Sequence, residues 1–264
     1  MTLPERLAAG AGFAALITLT ARRARLLTTG GALAAFVSGT VATAAGWTWA
    51  AALLTFFTTS VLLSRWRRQA RVARTADVVE KSGARDAWQV GANGGVFAAF
   101  GAASLVIDHP VVQVAGLGAI AASTADTWAT EIGTAIGGTP RSITGFRQVA
   151  PGTSGGISGV GTLAMFGGAA AMGTVAVVVG FEARVALAIA AGGVSGAVAD
   201  TLLGATLQAR RWCPACGCTT EQSVHRCGAA STRAGGMAAM TNDTVNLVST
   251  LVGAVVAAWV ASLR

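Results

Sequence analysis

The chain is 264 residues long, 53% apolar and only 11% charged, with a mean hydropathy of +0.61. Such a composition excludes a disordered or ordinary water-soluble domain and suits several crossings of a roughly 30 Å hydrocarbon core. The net charge of +8 raises nucleic-acid binding, but the basic residues are confined to short connections between apolar runs, so no nucleic-acid partner is expected.

In chain order, the apolar runs predict helices at about 3–20, 27–44, 47–63, 88–107, 111–137, 155–180, 185–208 and 236–262. The expected fold is an all-α, polytopic membrane bundle of about eight transmembrane helices, within a range of six to eight, forming one integral membrane domain over 1–264. The first helix has few basic residues ahead of it and no small-residue cleavage pattern after it, so it is expected to be retained. The 35 glycines suit close helix contact in lipid, where small residues let backbones approach.

All but three of the 19 basic residues fall in every second connection: Arg22 to Arg25, Arg65 to Arg85, Arg141 to Arg147, and Arg210 to Arg233. The positive-inside rule puts these loops in the cytoplasm and both termini on the non-cytoplasmic side. The expectation is a multi-pass protein of the plasma membrane, with membrane lipids as partners. The opposite turns, at Ala45-Gly46, Asp108-His109-Pro110 and Phe181 to Arg184, are short and nearly uncharged. The 64–87 segment reads either as a plain topological anchor or as a basic amphipathic loop, with Trp66, Val72, Ala76 and Val79 facing lipid and Arg67, Arg68, Arg71 and Arg74 facing anionic head groups.

Four acids break the apolar runs. Asp126 and Glu131 lie in the cytoplasmic half of the 111–137 helix, Asp200 near the cytoplasmic end of 185–208, and Asp243 near the cytoplasmic start of 236–262. At 1.5 Å rise per residue they reach comparable depths. Ionisable groups at membrane depth usually face a bundle interior or a water-filled site. Hard oxygen ligands gathered in one layer suit Mg²⁺, which leaves positions for substrate phosphates; a proton or ion path is the alternative. Ala125-Asp126-Thr127 recurs as Ala199-Asp200-Thr201, and Asn242-Asp243-Thr244 repeats the last two residues.

The 138–154 loop and the residues after it supply phosphate-binding chemistry. Gly152, Thr153, Ser154, Gly155, Gly156 and Ser158 offer close backbone approach and hydroxyls just before a helix N-terminus, which favours anions. Arg141 and Arg147 are candidates to grip phosphate oxygens in bidentate fashion. No Gly-Lys-Ser/Thr follows, so this is not a P-loop. Asn93, Thr130, Asn242 and Asn246 complete the candidate substrate- and nucleotide-binding set.

All four cysteines lie in the 209–235 connection. Cys213-Pro-Ala-Cys216, then His225-Arg-Cys227, suits a closed tetrahedral zinc site, with Cys218 as a substitute ligand. Reduced or redox-active thiols are the alternative.

The segments Gln89-Val-Gly-Ala-Asn93-Gly94, Ala125-Asp126-Thr-Trp-Ala-Thr-Glu131-Ile-Gly133, Pro140-Arg141-Ser-Ile-Thr144, Pro151 to Ser158, Asp200-Thr-Leu-Leu-Gly-Ala205 and Asn242-Asp243-Thr-Val-Asn246 resemble the phytyl-phosphate kinase and transmembrane protein 19 family from about residue 30 to 262. The resemblance implies an integral-membrane kinase that takes phytyl- or polyprenyl-phosphate to the diphosphate. It further implies a nucleoside triphosphate donor, CTP favoured, and catalytic Mg²⁺ on Asp126, Asp200 and Asp243 with Glu131 beside them. The rival readings are a transporter or flippase of a small anion or lipid phosphate using the same acids, and a non-catalytic scaffold organised by its zinc loop.

Overall fold

A computed structural model describes residues 2–81 and 83–263. Eight long helices are found among them: α1 (Leu3–Arg23), α2 (Thr29–Ala45), α3 (Trp47–Arg65), α5 (Ala87–Ala103), α6 (Pro110–Ile136), α7 (Gly159–Val178), α8 (Ala183–Thr206) and α9 (Asn242–Ser262). A short helix, α4 (Arg68–Thr75), follows α3. The all-α expectation holds for the body of the protein. Of the eight long helices, α3, α7, α8 and α9 have both the length and the apolarity of a membrane span. The remainder fall short in length or carry charge: α2 and α5 have 17 residues each, and α6 carries Asp126 and Glu131.

Helix starts are set by side chains that satisfy free N–H groups. Thr28 accepts from Gly31 N, Asp86 forms a capping box with Gln89, Ser158 accepts from Gly161 N and Thr241 from Thr244 N. The last two ends therefore begin later than the apolar pattern suggested, at 159 and 242 rather than 155 and 236.

One end of every long helix meets a single cluster of loops. Arg85 N donates to Leu26 O at 2.9 Å, Arg74 Nη2 to Gly137 O at 2.6 Å, and Glu221 N to Val78 O at 2.9 Å. These bonds join the four basic connections, so the expected gathering of basic loops on one side is met. Trp47 begins α3 and Trp66 caps its end, 19 residues apart and so about 28 Å along the axis, a spacing suited to the two interfaces of a bilayer.

The core is built on α6, which packs against α3, α5, α7, α8 and α9. Trp49 and Phe97 stack at 5.1 Å between ring centroids, over Gly116, where an added Cβ would sit 2.3 Å from the Trp49 ring. Helix α1 packs mainly on α2 at the edge of the bundle.

Two connections fold into small antiparallel sheets instead of open loops. β1 (Arg141–Ser142) pairs with β2 (Gly156–Ile157), so residues 156–157, expected to be helical, are strand. In the 209–235 segment, β3 (Arg210–Cys213), β4 (Cys218–Thr220) and β5 (Thr232–Gly235) form a sheet of order β4-β3-β5.

Candidate functional site

Glycines bring the acid-bearing helices together. A Cβ on Gly192 of α8 would lie 2.4 Å from Gly253 O of α9, and one on Gly118 of α6 would lie 2.5 Å from the same oxygen. Only backbone fits there, so α6, α8 and α9 touch main chain to main chain. Their ends near the basic loops carry Asp126 and Glu131, Asp200, and Asp243.

All four acids line one cavity of about 490 Å³, as expected from their depths. Gly152 to Ser158, Thr130, Asn242 and Asn246 line it too. Asp200 Oδ2 and Asp243 Oδ1 are buried without a hydrogen-bond partner among the described residues. Such orphaned carboxylate oxygens are costly unless a cation or donor meets them. Both are hard oxygen donors of the kind Mg²⁺ takes, and Asp200 lies within electrostatic reach of Asp126. The donor chemistry therefore suits a divalent cation, while among the described residues three or more ligand atoms converge only at the Cys/His cluster.

The Gly/Ser segment is held against α8. Gly155 has φ +78° and a Cβ there would sit 2.4 Å from Ala205 Cβ, so this left-handed, tightly packed position requires glycine. The hydroxyl of Ser158 caps Gly161 N at 3.1 Å, which uses one of the N–H groups of the α7 start.

A second cavity, of about 680 Å³, adjoins the first and shares Asp126, Thr130, Glu131, Asn242 and Asn246 with it. Its walls away from the acids are apolar: Phe13 and Ile17 of α1, Ala35 and Ala42 of α2, and Leu53 and Phe57 of α3. Its mouth is basic, lined by Arg25, Arg65, Arg68, Arg71, Lys81 and Arg85. Asn93 lines this cavity, its side chain donating to Gln89 O at 3.0 Å.

The structure corrects the expected arginines. Arg141 and Arg147 are exposed on the β1–β2 hairpin and line neither cavity, Arg141 Nη1 being spent on Phe146 O at 2.7 Å. Residues near the Gly/Ser loop in sequence are turned outward by a two-residue strand pairing. Most cations at the site come instead from the 64–87 segment, joined by Arg25 at the larger cavity and Arg211 of β3 at the smaller one. Arg71 makes a salt bridge to Glu131 and Lys81 to Asp243, while Arg74 caps the C-terminus of α6 through Thr134 O and Gly137 O. The expectation that Arg71 and Arg74 face lipid head groups is therefore wrong. Their helical spacing places them on one face, and that face lies across α6.

Glu221 is a site residue that motif reasoning missed. It follows β4, lines the smaller cavity and accepts a hydrogen bond from the Ser154 hydroxyl. Burial pushes its carboxyl up to about 7, against the lowering effect of Ser154. No motif marks it; its one signal is that it is the lone acid of the cysteine-rich 209–235 connection.

Cys213, Cys216, His225 and Cys227 place their ligand atoms within 4.8 Å of one another. This is the expected set, and Cys218 is outside it, with its Sγ 3.9 Å from the Nε2 edge of His225.

Residues 12–254 match the family model described as integral membrane protein DUF92. The chain belongs to that family. Among relatives, it is similar to Protein PGR of Arabidopsis thaliana, 27% identical with 89% of each chain covered. It is also similar to an uncharacterized membrane protein of Methanocaldococcus jannaschii, 28% identical over 204 residues, covering 77% of this chain and 72% of the relative. No solved structure matches. Membership makes this an integral membrane protein of a helical family, in agreement with its composition and fold.

Proposed function

We propose that this DUF92 member is a membrane phosphotransferase that moves a phosphoryl group from a nucleoside triphosphate, CTP favoured, to a phytyl- or polyprenyl-phosphate, giving the diphosphate. We place it in the plasma membrane, with the basic loops in the cytoplasm. The observation that carries the reading is the joined pair of cavities: an apolar slot between α1, α2 and α3 with a basic mouth, opening onto four buried acids. An isoprenoid phosphate has the same division, a long apolar tail and a doubly charged head.

In this reading the tail lies along Phe13, Ile17 and Leu53, and burial of its methylenes supplies about 0.8 kcal/mol each. Arg71, Arg85 and Lys81 hold the head group by charge-assisted hydrogen bonds. The hydroxyl of Thr153 and the backbone N–H groups of Gly152 and Gly155 hold the donor phosphates on the opposite wall. Mg²⁺ held by Asp126, Asp200 and Asp243 would neutralise charge developing on the transferred phosphoryl group. The acceptor phosphate oxygen is already anionic, so these residues need only position and desolvate it; no strong base is required.

The test is phosphotransfer by purified protein in detergent, with Mg²⁺, CTP or other nucleoside triphosphates, and phytyl, geranylgeranyl or farnesyl monophosphate, read by mass spectrometry of the diphosphate. Product that vanishes with EDTA and with Asp126→Asn supports the kinase. Absence of product from folded protein with every pair sinks it, and flux of a lipid phosphate or small anion across liposomes would then favour the transporter.

A further inference from the structure

The Cys/His cluster sits on two tight turns. Gly217 N donates to Cys213 O at 2.9 Å after the Cys213 to Cys216 knuckle, and Gly228 N donates to His225 O at 2.8 Å after the His225 to Cys227 return. Cys213 Sγ lies 3.6 Å from Cys227 Sγ, and His225 Nδ1 lies 3.3 Å from Cys227 Sγ. With Zn–S of about 2.3 Å and Zn–N of about 2.0 Å, a tetrahedral ion needs edges of about 3.8 and 3.5 Å. The observed separations match such edges. Cys218 stands on the far edge of the ring from Nδ1, so it cannot complete the same tetrahedron.

The other ring nitrogen has a partner on a different part of the chain. His225 Nε2 lies 3.5 Å from Asp77 Oδ1, in the connection between α4 and α5, and Arg226 Nε binds the same oxygen at 2.7 Å. A metal-bound histidine whose second N–H is held by a carboxylate is a recurring arrangement, because the carboxylate fixes the tautomer and ring orientation. Around it the ribbon grips that connection again: Gln222 Nε2 donates to Ala76 O at 2.7 Å and Val79 O at 3.0 Å, and Glu221 N to Val78 O at 2.9 Å. Two residues beyond Val79, Lys81 reaches Asp243.

We propose that Cys213, Cys216, Cys227 and the Nδ1 of His225 hold a structural zinc ion, and that the ion, acting through His225 and Asp77, clamps residues 76–81 over the carboxylate cavity. Zinc thereby sets the position of Lys81. The assignment stands apart from the kinase reading, since its readouts are metal content and amide exchange.

Protein purified from zinc-supplemented cells under reducing conditions should carry one zinc per chain by mass spectrometry of the metal. Cys218→Ser should keep it; Cys216→Ser combined with Cys227→Ser should lose it. Zinc-free wild type, zinc retained without Cys216 and Cys227, or loss on Cys218→Ser would each overturn the ligand set. If the double variant does not fold, zinc released from wild type by a chromogenic chelator, with the freed thiols counted, decides the same point: three newly reactive thiols support the set and none overturns it. Asp77→Asn should weaken zinc about 10–100-fold in chelator competition. Chelation should speed hydrogen exchange at Glu221 and across 76–81 while α8 and α9 stay protected. Unchanged affinity in Asp77→Asn, or unchanged exchange at Glu221, would overturn the clamp.

Discussion

Lys81 holds Asp243 across 162 residues of chain, with Nζ 2.7 Å from Oδ2 and 2.9 Å from Oδ2 of Asp86. Burial works against the ammonium, but the two carboxylates outweigh it and raise the Lys81 pKa, so the side chain is charged at every physiological pH. Lys81 thus neutralises an acid of the cavity, and on the kinase reading its remaining proton serves the substrate phosphate. Lys81→Met should raise KM for the phosphate substrate about 10-fold, the loss of one charge-assisted hydrogen bond. It should also lower the Mg²⁺ concentration for half-maximal rate, because Asp243 is freed for the ion. Steady-state kinetics over a Mg²⁺ titration checks both, and a variant with unchanged KM would remove Lys81 from the site.

Asp126 separates a functional acid from a structural one. It lines both cavities and lies within electrostatic reach of Asp200, so on the kinase reading neutralising it should relieve the fold while removing a metal ligand. Asp126→Asn should melt at the same temperature as wild type or a few degrees higher in detergent, and lose activity by about 100-fold or more. Matched thermal-shift and turnover measurements test this. A drop in melting temperature with activity retained would make Asp126 a packing residue.

The Arg71–Glu131 salt bridge ties α4 to α6, with both side chains mostly buried. Removing one partner leaves a buried charge uncompensated, so Arg71→Leu or Glu131→Leu alone should cost up to about 3–5 kcal/mol. Arg71→Leu with Glu131→Leu should recover most of that loss, since both charges go together. Denaturation of the two single variants and the pair closes the cycle; additive losses would show that the side chains do not depend on one another.

The pairing of acids with depth was readable in the amino-acid order because Asp126, Glu131, Asp200 and Asp243 interrupt helical apolar runs, and helical rise converts position to depth. Lys81, Arg85 and Glu221 were not readable. They lie in polar connections, where a charged residue defaults to water; docking of residues 76–80 against the cysteine ribbon brings Glu221 and Lys81 inward, and backbone pairing with Leu26 and Thr28 places Arg85. Arg141 and Arg147 mislead for the converse reason: they are next to the Gly/Ser loop in sequence, but the β1–β2 pairing points them away. The strands themselves escape detection because pieces of two to four residues carry no period.

Glu221 makes the closure of the Ser154 loop sensitive to pH. Its folded-state pKa of about 7 lies above the ordinary carboxyl range, so the folded form binds the proton more tightly than the unfolded one. The contribution of Glu221 is complete below its ordinary pKa and is lost as pH rises through 7. Hydrogen exchange at Gly155 and Gly156 should therefore quicken, beyond the intrinsic base-catalysed rise, between pH 6 and 8. Glu221→Gln should flatten that dependence; an identical profile in the variant would clear Glu221 of the role.

Gly192 tests whether the close contact of α8 with α9 serves the site as well as the fold. A methyl at Gly192 would lie 2.4 Å from Gly253 O and 2.8 Å from Ala257 Cβ, and neither backbone nor a buried alanine can yield without moving a helix. Overpacking of this kind costs about 1–3 kcal/mol, which lowers the melting temperature by several degrees in a chain of this size. Gly192 lies eight residues from Asp200 along α8, about 12 Å, and parting the helices there tilts α8 against α9 at the acids, so on the kinase reading Gly192→Ala should lose more activity at 25 °C, where it is still folded, than its stability loss explains. Gly12→Ala, at a helical position with nothing within 4 Å, should instead gain up to about 1 kcal/mol from helix propensity and keep full activity. Equal activity in the two variants at that temperature would mean that the acids tolerate a shift of α8, and that the glycine contact serves packing alone.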